Sequence, residues 1–551
     1  MANAAIQLNT EPYDASMTHP MGRVSAGEGF LRGFLEYADV DRLWLWNVYE
    51  QDRSEIEALL QRLGPPKQPV SWLGRGDRVA LAEPGALYIP TPEMKTEAWA
   101  RWATGATAYS LTGVTHTIAE TYILDEIAAL LTAPLEPWDA LICTSEAGRK
   151  AVETLLEAVA TYLQERFGAA RIPPAQLVTI PLGVHCDDFV AAPDARHAWR
   201  EALDIPADAP AALHLGRFSA TTKMHPGPMG LALQEAARRV GRPVYWILFG
   251  GARRPEEDEA FRAAATAFCE DVEVRFAPDT SAATRSGVLA AADVFLSFSD
   301  NIQETFGLTP VEAMAAGLPV VVSDWDGYRD TVRHGVDGFR IRTTTPRPGL
   351  AADLAYAHAH RLMSFEAYAG AASLLTAIDI PDAAEALTAL FGDADLRRRI
   401  GEAATRRVRE TLDWRTVIPQ YQALWAELAR RRQAAPPRPA LENPYRPDPF
   451  RMFGAYPSAT LSEADVLGLA RPMAPGEASR LTARPGVRAS AARLPDDAEV
   501  EVIVAALDAD SRSVVDLLAI FPPDRRPFIE RGLVWLIKFG VLRLRSGRLR
   551  N

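Results

Sequence analysis

The chain has 551 residues, of which 48 % are hydrophobic and 24 % are charged, and its formal net charge at pH 7 is −12. Because one hydrophobic core rarely serves more than about 250–300 residues, this length predicts two or three domains, and the composition excludes a fibrous or disordered chain. The acidic balance argues against a nucleic acid as the main partner, since polyphosphate chains are bound mostly through clustered Lys and Arg.

A glycine-rich segment lies near the start of the chain. Glycines such as Gly22 and Gly27, on either side of Arg23, let the backbone approach an acceptor or a phosphate closely, but a glycine-rich segment alone is weak evidence for a ligand-contacting loop. The preceding Thr18-His19-Pro20 is typical of a turn rather than a strand. The whole segment reads Gly22-Arg23-Val24-Ser25-Ala26-Gly27-Glu28-Gly29.

Short apolar runs then alternate with helical stretches such as residues 147–167. Runs of this length, bounded by Pro, Gly or Asp, are typical of buried parallel strands. The alternation predicts an α/β layered domain, which we place at residues 1–190. The predicted strands are Leu43–Val48, Ala86–Ile89, Ala140–Cys143 and Leu177–Ile180.

One histidine of this half follows a predicted strand. His116 lies in the segment Leu111-Thr112-Gly113-Val114-Thr115-His116-Thr117. A lone histidine is more often structural or exposed than functional. In open α/β sheets, however, ligands bind outside the carboxyl ends of the strands, so His116 is a candidate site residue.

A second and more regular series of strands and helices predicts a doubly wound domain at residues 191–412. A final helix at about residues 413–432 follows it. The predicted strands are Ala211–Leu215, Val244–Phe249, Val272–Phe276, Val294–Phe298 and Pro319–Val322. The helical stretches between them are Met229–Val240, Glu256–Phe268 and Ser281–Ala291.

The stretch from Ser299 to Pro319 carries the clearest chemical signal. It leaves a buried strand, turns at Gly307 and enters a predicted helix at Pro310. Helix N-termini at the carboxyl ends of strands present unpaired N–H groups to anions, so the amides of Gly307 and Leu308 suit a diphosphate.

A purely structural interpretation of this stretch stays open. Thr309 and Glu312 form a T-x-x-E capping box with Pro310 at the first helical position, and on that interpretation Glu312 only caps a helix. Capping does not explain Glu304, which lies in a loop at a strand's carboxyl end and therefore places a carboxylate at the ligand crevice.

Taken together, these segments resemble family 4 of the retaining glycosyltransferases, which have the GT-B fold. Glu304 and Glu312 match the family's E-x7-E motif, and residues 214–223 are similar to its Gly-Arg…Lys segment. Residues 111–117 resemble the segment that carries its N-domain histidine, and residues 22–29 resemble its acceptor-side glycine-rich loop. The resemblance covers about residues 22–428 and implies two Rossmann-like doubly wound domains facing a cleft, with the helix at 413–432 completing the first.

The resemblance also implies a reaction and roles for named residues. A hexose is transferred from a nucleotide diphosphate-sugar, UDP- or GDP-linked, with retention of configuration. Positioned cations stabilise the charge that develops on the leaving diphosphate. Glu304 binds the sugar hydroxyls, Glu312 the nucleotide ribose, and Arg217 with Lys223 the diphosphate. The remaining implied site residues are His116 at a hydroxyl of the hexose, and Gly216, Phe306, Gly307 and Leu308 at the donor.

No metal or other cofactor is expected. Asp324-Trp325-Asp326 is a D-x-D pair, with which another glycosyltransferase fold holds a metal, but the surrounding sequence resembles the metal-independent fold. As bare residues, Arg217 and Lys223 have an alternative interpretation as surface charges.

Proline density marks the end of the resembling region. Six prolines occur in residues 434–450, and proline at this density resists helix and central strand alike, so we predict a linker at 433–450. Residues 451–551 form a predicted accessory module. Helices at Val514–Ile520 and Pro527–Phe539, followed by a strand at Val541–Leu544, suggest a winged-helix-like unit. The insertion-like residues 343–376 have no assigned role, and a homo-oligomer contact there stays open.

A cytoplasmic location is expected. The three cysteines, Cys143, Cys186 and Cys269, are too few and too scattered for a disulfide framework or a zinc site. No apolar stretch of membrane-spanning length and no secretory leader is recognisable. The arginine runs at 397–399 and 430–432 are interpreted as solvated helix faces. Peripheral contact of the protein with a membrane stays open.

Two further interpretations compete with an active transferase. One is a GT-B protein that binds sugar nucleotides or acts as a scaffold after losing catalysis. The other is a ligand-sensing regulator that acts through the C-terminal module.

Overall fold

The computed structural model describes residues 2–545 except 17–21, 174, 279, 282–283, 439–440 and 489–493. The chain divides into two compact units, Met1–Leu441 and Glu442–Asn551. The boundary between these units falls within the predicted linker at 433–450, whose residues 439 and 440 lie outside the described part. The first unit contains two parallel sheets and the second a small antiparallel sheet.

The first sheet has seven parallel strands in the order β3-β2-β1-β4-β5-β6-β7. Helices cover both faces, and for this reason every residue of β4, β5 and β6 is buried. The strands are β1 Ala5–Gln7, β2 Leu43–Asn47, β3 Val70–Gly74, β4 Ala86–Ile89, β5 Ser110–Val114, β6 Ala140–Cys143 and β7 Leu177–Thr179. The helices are α1 Gly22–Tyr37, α2 Arg53–Leu63, α3 Lys95–Trp102, α4 Thr121–Ala128 and α5 Glu146–Phe167.

The predicted glycine-rich loop is wrong, because Gly22, Arg23 and Gly27 lie in the first turns of α1. Its glycines serve close packing instead. A Cβ atom on Gly27 would lie 2.1 Å from the carbonyl oxygen of Pro12, and one on Gly33 would lie 2.9 Å from the Cβ of Trp414. The turn expected at Thr18-His19-Pro20 lies outside the described residues.

The second sheet has six parallel strands in the order β10-β9-β8-β11-β12-β13. Two Rossmann-like α/β domains are therefore present, which confirms the predicted GT-B architecture. The strands are β8 Ala211–Leu215, β9 Val244–Phe249, β10 Val272–Phe276, β11 Val294–Ser297, β12 Val320–Ser323 and β13 Gly338–Ile341. The helices up to β13 are α6 Ala195–Ala202, α7 Gly227–Val240, α8 Pro255–Ala267, α9 Arg285–Ala291, α10 Leu308–Ala315 and α11 Tyr328–Thr331.

A helical hairpin follows β13 in the region that had no assigned role. Its two helices stand between short strands that pair antiparallel, β14 Thr343–Thr344 and β15 Ala377–Ile378. The hairpin helices are α12 Ala352–Ala359 and α13 Phe365–Leu374. The chain continues into α14 Ile380–Gly392, which packs against α7, and α15 Ala394–Thr411.

The last helix of this unit, α16 Trp414–Ala434, returns to the first domain. Asp413 caps its N-terminus by accepting a hydrogen bond from the backbone N–H of Arg415 at 2.8 Å. The fully buried Trp414 occupies a groove whose floor consists of Gly29, Gly33 and Gly183. Farther along α16, the indole N–H of Trp425 donates to the Thr112 hydroxyl of β5 at 3.2 Å. The helix thus completes the core of the first domain with residues that are remote in sequence.

The second unit has its own buried core beneath a three-stranded antiparallel sheet of order β17-β16-β18. The strands are β16 Val466–Leu469, β17 Arg512–Ser513 and β18 Leu542–Leu544. The helices are α17 Pro449–Met452, α18 Glu477–Thr482, α19 Asp497–Asp508, α20 Val514–Ala519 and α21 Arg526–Lys538. The winged-helix-like description of this unit stays a prediction. None of the helices in the described part of the chain is both long and apolar enough to cross a membrane.

Candidate active site

The candidate residues of the second domain meet at the carboxyl ends of two neighbouring strands. Arg217 and Lys223 lie in the loop after β8, and Glu304 lies in the loop after β11. Because β8 and β11 are adjacent and parallel, their carboxyl ends lie side by side at the same edge of the sheet. The sheet thereby brings together residues that are separated by 81 positions.

Lys223 and Glu304 form an ion pair at this edge, with side chains only 20 % and 12 % exposed. Partial burial makes such a pair stronger than one on the surface, because solvent screens it less. The charges of these two predicted site residues thus neutralise each other.

Arg217 lies near this pair and is itself half-buried. Burial and the neighbouring positive charge of Arg253 lower the pKa of its guanidinium. Within the described part of the chain, no carboxylate lies within ion-pair distance of Arg217. A partly desolvated cation without a fixed counter-ion is well suited to an anionic ligand.

Gly307 begins the helix that follows Glu304. Helix α10 starts at Leu308 rather than at the predicted Pro310, and Gly307 is its N-cap with a φ of 86°. A Cβ atom on Gly307 would lie 1.9 Å from the Tyr328 ring, so only glycine fits this position. Glycine has no side chain with which to occupy the first amides of the helix, which leaves them to other acceptors. Next to it, Phe306 is buried in the core.

The capping-box interpretation of Glu312 is wrong. Thr309 is not the N-cap of α10, and the Glu312 carboxylate pairs with a side chain of another helix. Its Oε1 accepts a hydrogen bond from Nη1 of Arg285 at 3.0 Å. Its Oε2 is buried and has no hydrogen-bond partner among the described residues.

His116 lies two residues beyond the end of β5, in the first domain. The prediction that the segment 111–117 follows a strand is wrong, because residues 111–114 belong to strand β5 itself. Desolvation and the nearby positive charge of Arg23 lower the pKa of the half-buried His116 to about 4. A hydrogen bond to the Pro90 backbone opposes this shift. The imidazole is therefore neutral at pH 7, and Arg23 lies close to it.

Direct hydrogen bonds join the two domains beside Glu304. The Thr144 hydroxyl, just after β6, donates to the carbonyl of Thr305 at 3.4 Å. Ser145, the N-cap of α5, donates from its hydroxyl to Oδ1 of Asp326 at 3.2 Å. These contacts place the sugar-binding candidate of the second domain against strand ends of the first.

The carboxylates of the D-x-D pair have different partners. Asp324 lies 3.4 Å from Nε of Arg340, whereas Asp326 faces Ser145 of the other domain. Desolvation, with a smaller contribution from the charge of Glu304, raises the pKa of Asp326 to about 8. In the described part of the chain, no group of three or more His, Cys, Asp or Glu side chains is arranged to hold a metal ion.

The α12–α13 hairpin contacts the site, although sequence reasoning gave it no role. Gly370 of α13 packs against Thr221, so that a Cβ atom on it would lie 3.2 Å from the Thr221 Cα. Asn301 joins the two by donating to the carbonyls of Thr221 at 2.8 Å and Ala369 at 3.4 Å. At the hairpin's other end, the His358 ring lies 3.0 Å from the Thr121 hydroxyl of the first domain. Nothing in the local sequence of 343–376 signalled these contacts.

Asp300, which the hairpin covers, yields a prediction about stability and pH. Burial raises the pKa of Asp300 to about 7, although a hydrogen bond donated by the Ser373 hydroxyl opposes the shift. The folded state thus holds a proton that the unfolded state, with an ordinary pKa near 3.9, has already released. The stability contributed by this group is fully present below about pH 4 and is lost as pH rises through about 7.

We therefore expect Asp300→Asn to flatten the pH profile of stability. Between about pH 4 and 7, the wild-type free energy of unfolding should fall relative to that of the variant by up to about 1.4 kcal/mol per pH unit. Urea unfolding of both proteins at four pH values across this window measures the difference. Parallel profiles would show that Asp300 titrates normally.

Comparison with known proteins finds similarity over part of the chain. Residues 195–354 match the family model described as Glycosyl transferases group 1. A D-inositol 3-phosphate glycosyltransferase from Geodermatophilus obscurus is 31 % identical over 247 residues, 43 % of this chain and 51 % of the relative. A phosphatidyl-myo-inositol mannosyltransferase from Mycolicibacterium smegmatis is 33 % identical over 178 residues, 32 % of this chain and 42 % of the relative. The chain thus spans about half the length, or less, of these curated relatives.

Solved structures of low sequence identity also resemble the chain. Anabaena Alr3699/HepE, crystallised with UDP and glucose, is 18 % identical with a TM-score of 0.49, over 77 % of this chain and 99 % of that one. A sucrose-phosphate synthase from Thermosynechococcus elongatus has a TM-score of 0.47 at 17 % identity, over 78 % and 99 % of the two chains. Residues 195–354 thus resemble glycosyl transferases group 1, and they belong to a chain with two Rossmann-like α/β domains.

Proposed function

We propose that the protein is a retaining glycosyltransferase that moves a hexose from a nucleotide diphosphate-sugar to an acceptor hydroxyl. The observation that carries the proposal is the Lys223–Glu304 ion pair beside the glycine-capped start of α10. Next to it lies Arg217, which forms no ion pair with any residue that the structure describes. This arrangement offers cations and free amides to a diphosphate, and a carboxylate to a sugar, at one sheet edge.

In the proposed reaction, the bond between the anomeric carbon and the diphosphate oxygen breaks, and both electrons stay on the oxygen. The acceptor oxygen bonds to the same face of the sugar, and its proton passes to the departing phosphate oxygen. Negative charge therefore grows on the diphosphate in the transition state. Arg217, Lys223 and the amides at Gly307 and Leu308 stabilise that charge more strongly than they stabilise the intact donor.

The ion pair also suggests how the site exchanges partners when the donor binds. In the structure, Glu304 is the counter-ion of Lys223. When the donor binds, its phosphates replace Glu304 as the partner of Lys223, and Glu304 becomes free to accept hydrogen bonds from the sugar hydroxyls. Each charge therefore has a partner before and after the donor binds. A buried charge without a partner would be costly.

His116 has a role on the other side of the cleft. Its lowered pKa keeps the ring neutral, so that one ring nitrogen donates a hydrogen bond and the other accepts one. A neutral ring suits a sugar hydroxyl and avoids placing a further cation beside the oxocarbenium-like sugar.

The substrates and surroundings complete the proposal. The donor is a UDP- or GDP-linked sugar, and the reaction needs no metal. The accessory module, residues 451–551, binds the acceptor or a partner other than nucleic acid. Because the names of the relatives include inositol phosphate and phosphatidyl-inositol compounds, these are the first acceptors to test. The proposed location is the cytoplasm, and the buried free thiols of Cys143, Cys186 and Cys269 support it because they suit a reducing compartment.

Two measurements test this function. Calorimetric titration with UDP, GDP and ADP should show tight binding of one of them, and a hundredfold excess over its Kd should stabilise the fold by about 2.7 kcal/mol. Incubation with the matching nucleotide sugars and an inositol phosphate, in buffer containing EDTA, should release nucleoside diphosphate and form a glycoside with the anomeric configuration of the donor.

Each result separates this function from its competitors. An inverted product would contradict the retaining mechanism, and a requirement for added metal would contradict metal independence. Binding without any turnover across donors and acceptors would favour the catalytically lapsed protein. A salt-sensitive shift of duplex DNA in a gel would favour the regulator.

A further inference from the structure

Asn301 is a fully buried residue in the loop after β11, three positions before Glu304. Its amide nitrogen donates to the carbonyl oxygen of Thr221 at 2.8 Å and to that of Ala369, in α13, at 3.4 Å. Its amide oxygen accepts from the backbone N–H of Gln303 at 3.0 Å. One side chain thus uses both ends of its amide to join its own loop to two other segments of the second domain.

The backbone of Asn301 holds the same loop. Its carbonyl oxygen accepts from the backbone N–H of Glu304 at 3.1 Å and from the indole N–H of Trp325 at 3.1 Å. Both residues that precede the buried Phe306 loop turn, Gln303 and Glu304, are therefore hydrogen-bonded to Asn301. The course of the chain up to the Glu304 side chain follows from these contacts.

The contact at Thr221 reaches the other member of the ion pair. Thr221 lies two residues before Lys223, in the loop after β8. The backbone N–H of Lys223 donates to the Ser219 carbonyl at 3.1 Å, which closes this stretch into a single turn. A bond from Asn301 to the middle of the turn therefore joins the loop after β8 to the loop after β11, and each loop carries one charge of the pair.

The hydrogen-bonding partners favour an amide at this position. The carbonyl oxygens of Thr221 and Ala369 only accept, whereas the backbone N–H of Gln303 only donates, so donors and an acceptor are needed in one planar group. A carboxylate of the same shape would face two carbonyl oxygens without a proton to donate. Buried polar groups that lose their partners in this way are costly.

We propose that Asn301 is a positioning residue, which holds the Lys223 ammonium and the Glu304 carboxylate together at the candidate site. Asn301 acts through these two side chains rather than on a substrate. The consequence for sugar transfer rests on the proposed function, which assigns Lys223 to the diphosphate and Glu304 to the sugar. Positioned groups are sensitive to small displacements, and a shift of 1 Å can lower a rate by about 10²-fold.

Asn301→Asp is the discriminating variant, because it keeps the shape of the side chain and removes both donors. Its crystal structure, determined alongside that of wild type, should show the Thr221 carbonyl withdrawn and the Lys223–Glu304 ion pair separated. Release of nucleoside diphosphate from the donor that wild type uses should fall by about 10²-fold. Most of this loss should be in kcat, because Arg217 and the amides at the start of α10 still bind the donor.

Asn301→Ser is a milder variant, because its hydroxyl can donate to only one of the two carbonyls. Its turnover should lie between those of wild type and Asn301→Asp. If the carboxylate prevents folding, the crystal structure and turnover of Asn301→Ser carry the same test.

Gln234→Glu is the matched control, because it also places a carboxylate where a buried amide faces an oxygen. Gln234 of α7 is 7 % exposed, donates to Oδ2 of Asp271 at 2.5 Å and accepts from the Asp271 N–H at 2.7 Å. Asp271 precedes β10 and so lies at the sheet edge opposite the carboxyl ends of the strands. The control should lower the melting temperature, as Asn301→Asp does, and leave turnover of the folded protein unchanged.

The outcomes separate this inference from the proposed function. An intact Lys223–Glu304 ion pair in the Asn301→Asp crystal overturns the inference, whatever the turnover is. An equal loss of turnover in Gln234→Glu also overturns it, because destabilisation alone would then explain the loss. A separated pair with wild-type turnover supports the positioning and overturns the catalytic role proposed for the pair. If wild type transfers no sugar from any nucleotide sugar, the proposed function fails, and the crystal structures alone decide the inference.

Discussion

Glu304→Gln is expected to lower turnover by about 10²–10³-fold while leaving the affinity for the free nucleoside diphosphate at least as high as in wild type. The loss follows from removing one strong contact of the transition state, which typically costs about 2.7–4 kcal/mol of barrier. The unchanged or improved affinity follows from the ion pair: without the Glu304 charge, Lys223 no longer has to leave a counter-ion before it binds phosphate.

Arg217→Ala is the informative comparison. It should lose turnover to a similar extent and also lose affinity for the nucleoside diphosphate, since the proposal assigns Arg217 to the diphosphate and Glu304 to the sugar. Arg239→Ala, which removes an exposed helix pair with Glu235, controls for net charge. Steady-state release of nucleoside diphosphate and calorimetric titration give both quantities. If Glu304→Gln weakened nucleotide binding as much as Arg217→Ala does, the division of roles would be wrong.

Asp139→Ala is expected to destabilise the first domain by about 3–5 kcal/mol, because it leaves a buried charge without its partner. The Arg101 and Asp139 side chains are 0 % and 1 % exposed and are joined by two hydrogen bonds, one of them 2.6 Å long between Nη2 and Oδ2. Asp139 also accepts from the backbone N–H of Leu111 and Glu136, both at 2.8 Å. The pair therefore ties α3 to the starts of β5 and β6.

Urea unfolding measures this loss as a lower midpoint at an unchanged slope. Replacing both partners with apolar residues, as in Arg101→Met with Asp139→Leu, should recover only part of the stability, because neither charge is then stranded but the backbone N–H groups of Leu111 and Glu136 lose their acceptor. Glu57→Ala, which breaks an exposed helix pair with Arg53, should have little effect. An equally small effect of Asp139→Ala would mean that water reaches Arg101.

The fold was predictable wherever local sequence carried the signal. The strands Ala86–Ile89, Ala140–Cys143, Ala211–Leu215 and Val244–Phe249 have the predicted bounds, because each is an apolar run closed by turn-forming or polar residues. By contrast, β5 was missed as a strand because Ser110 and Thr112 make it look polar, although both side chains are buried in the sheet.

The first helix shows a second limit of sequence reasoning. Its glycines are typical of a loop when taken locally, yet Gly29 and Gly33 are small so that Trp414 can approach, and that residue lies nearly four hundred positions away. Helix propensity was overridden by a tertiary contact that no window of sequence contains.

The candidate site was likewise only partly predictable from the sequence. Glu304, Glu312, Arg217 and Lys223 were found from strand ends and from a resemblance, and their functional roles stay predictions. Their arrangement could not be found, because the Lys223–Glu304 pair depends on the sheet order that makes β8 and β11 neighbours. Arg285 gave no signal in the sequence, since only folding places its guanidinium at Glu312.

The return of α16 to the first domain has a consequence for synthesis on the ribosome. The segment between the end of β7 and Trp414 spans roughly 235 residues, which take about 10–50 s to translate. During that interval the groove at Gly29, Gly33 and Gly183 has no tryptophan to fill it, and apolar surface that α16 later covers is exposed to water. Of the two Rossmann-like domains, the one that is synthesised first is thus completed last, and chaperones can bind its exposed apolar surface during this interval.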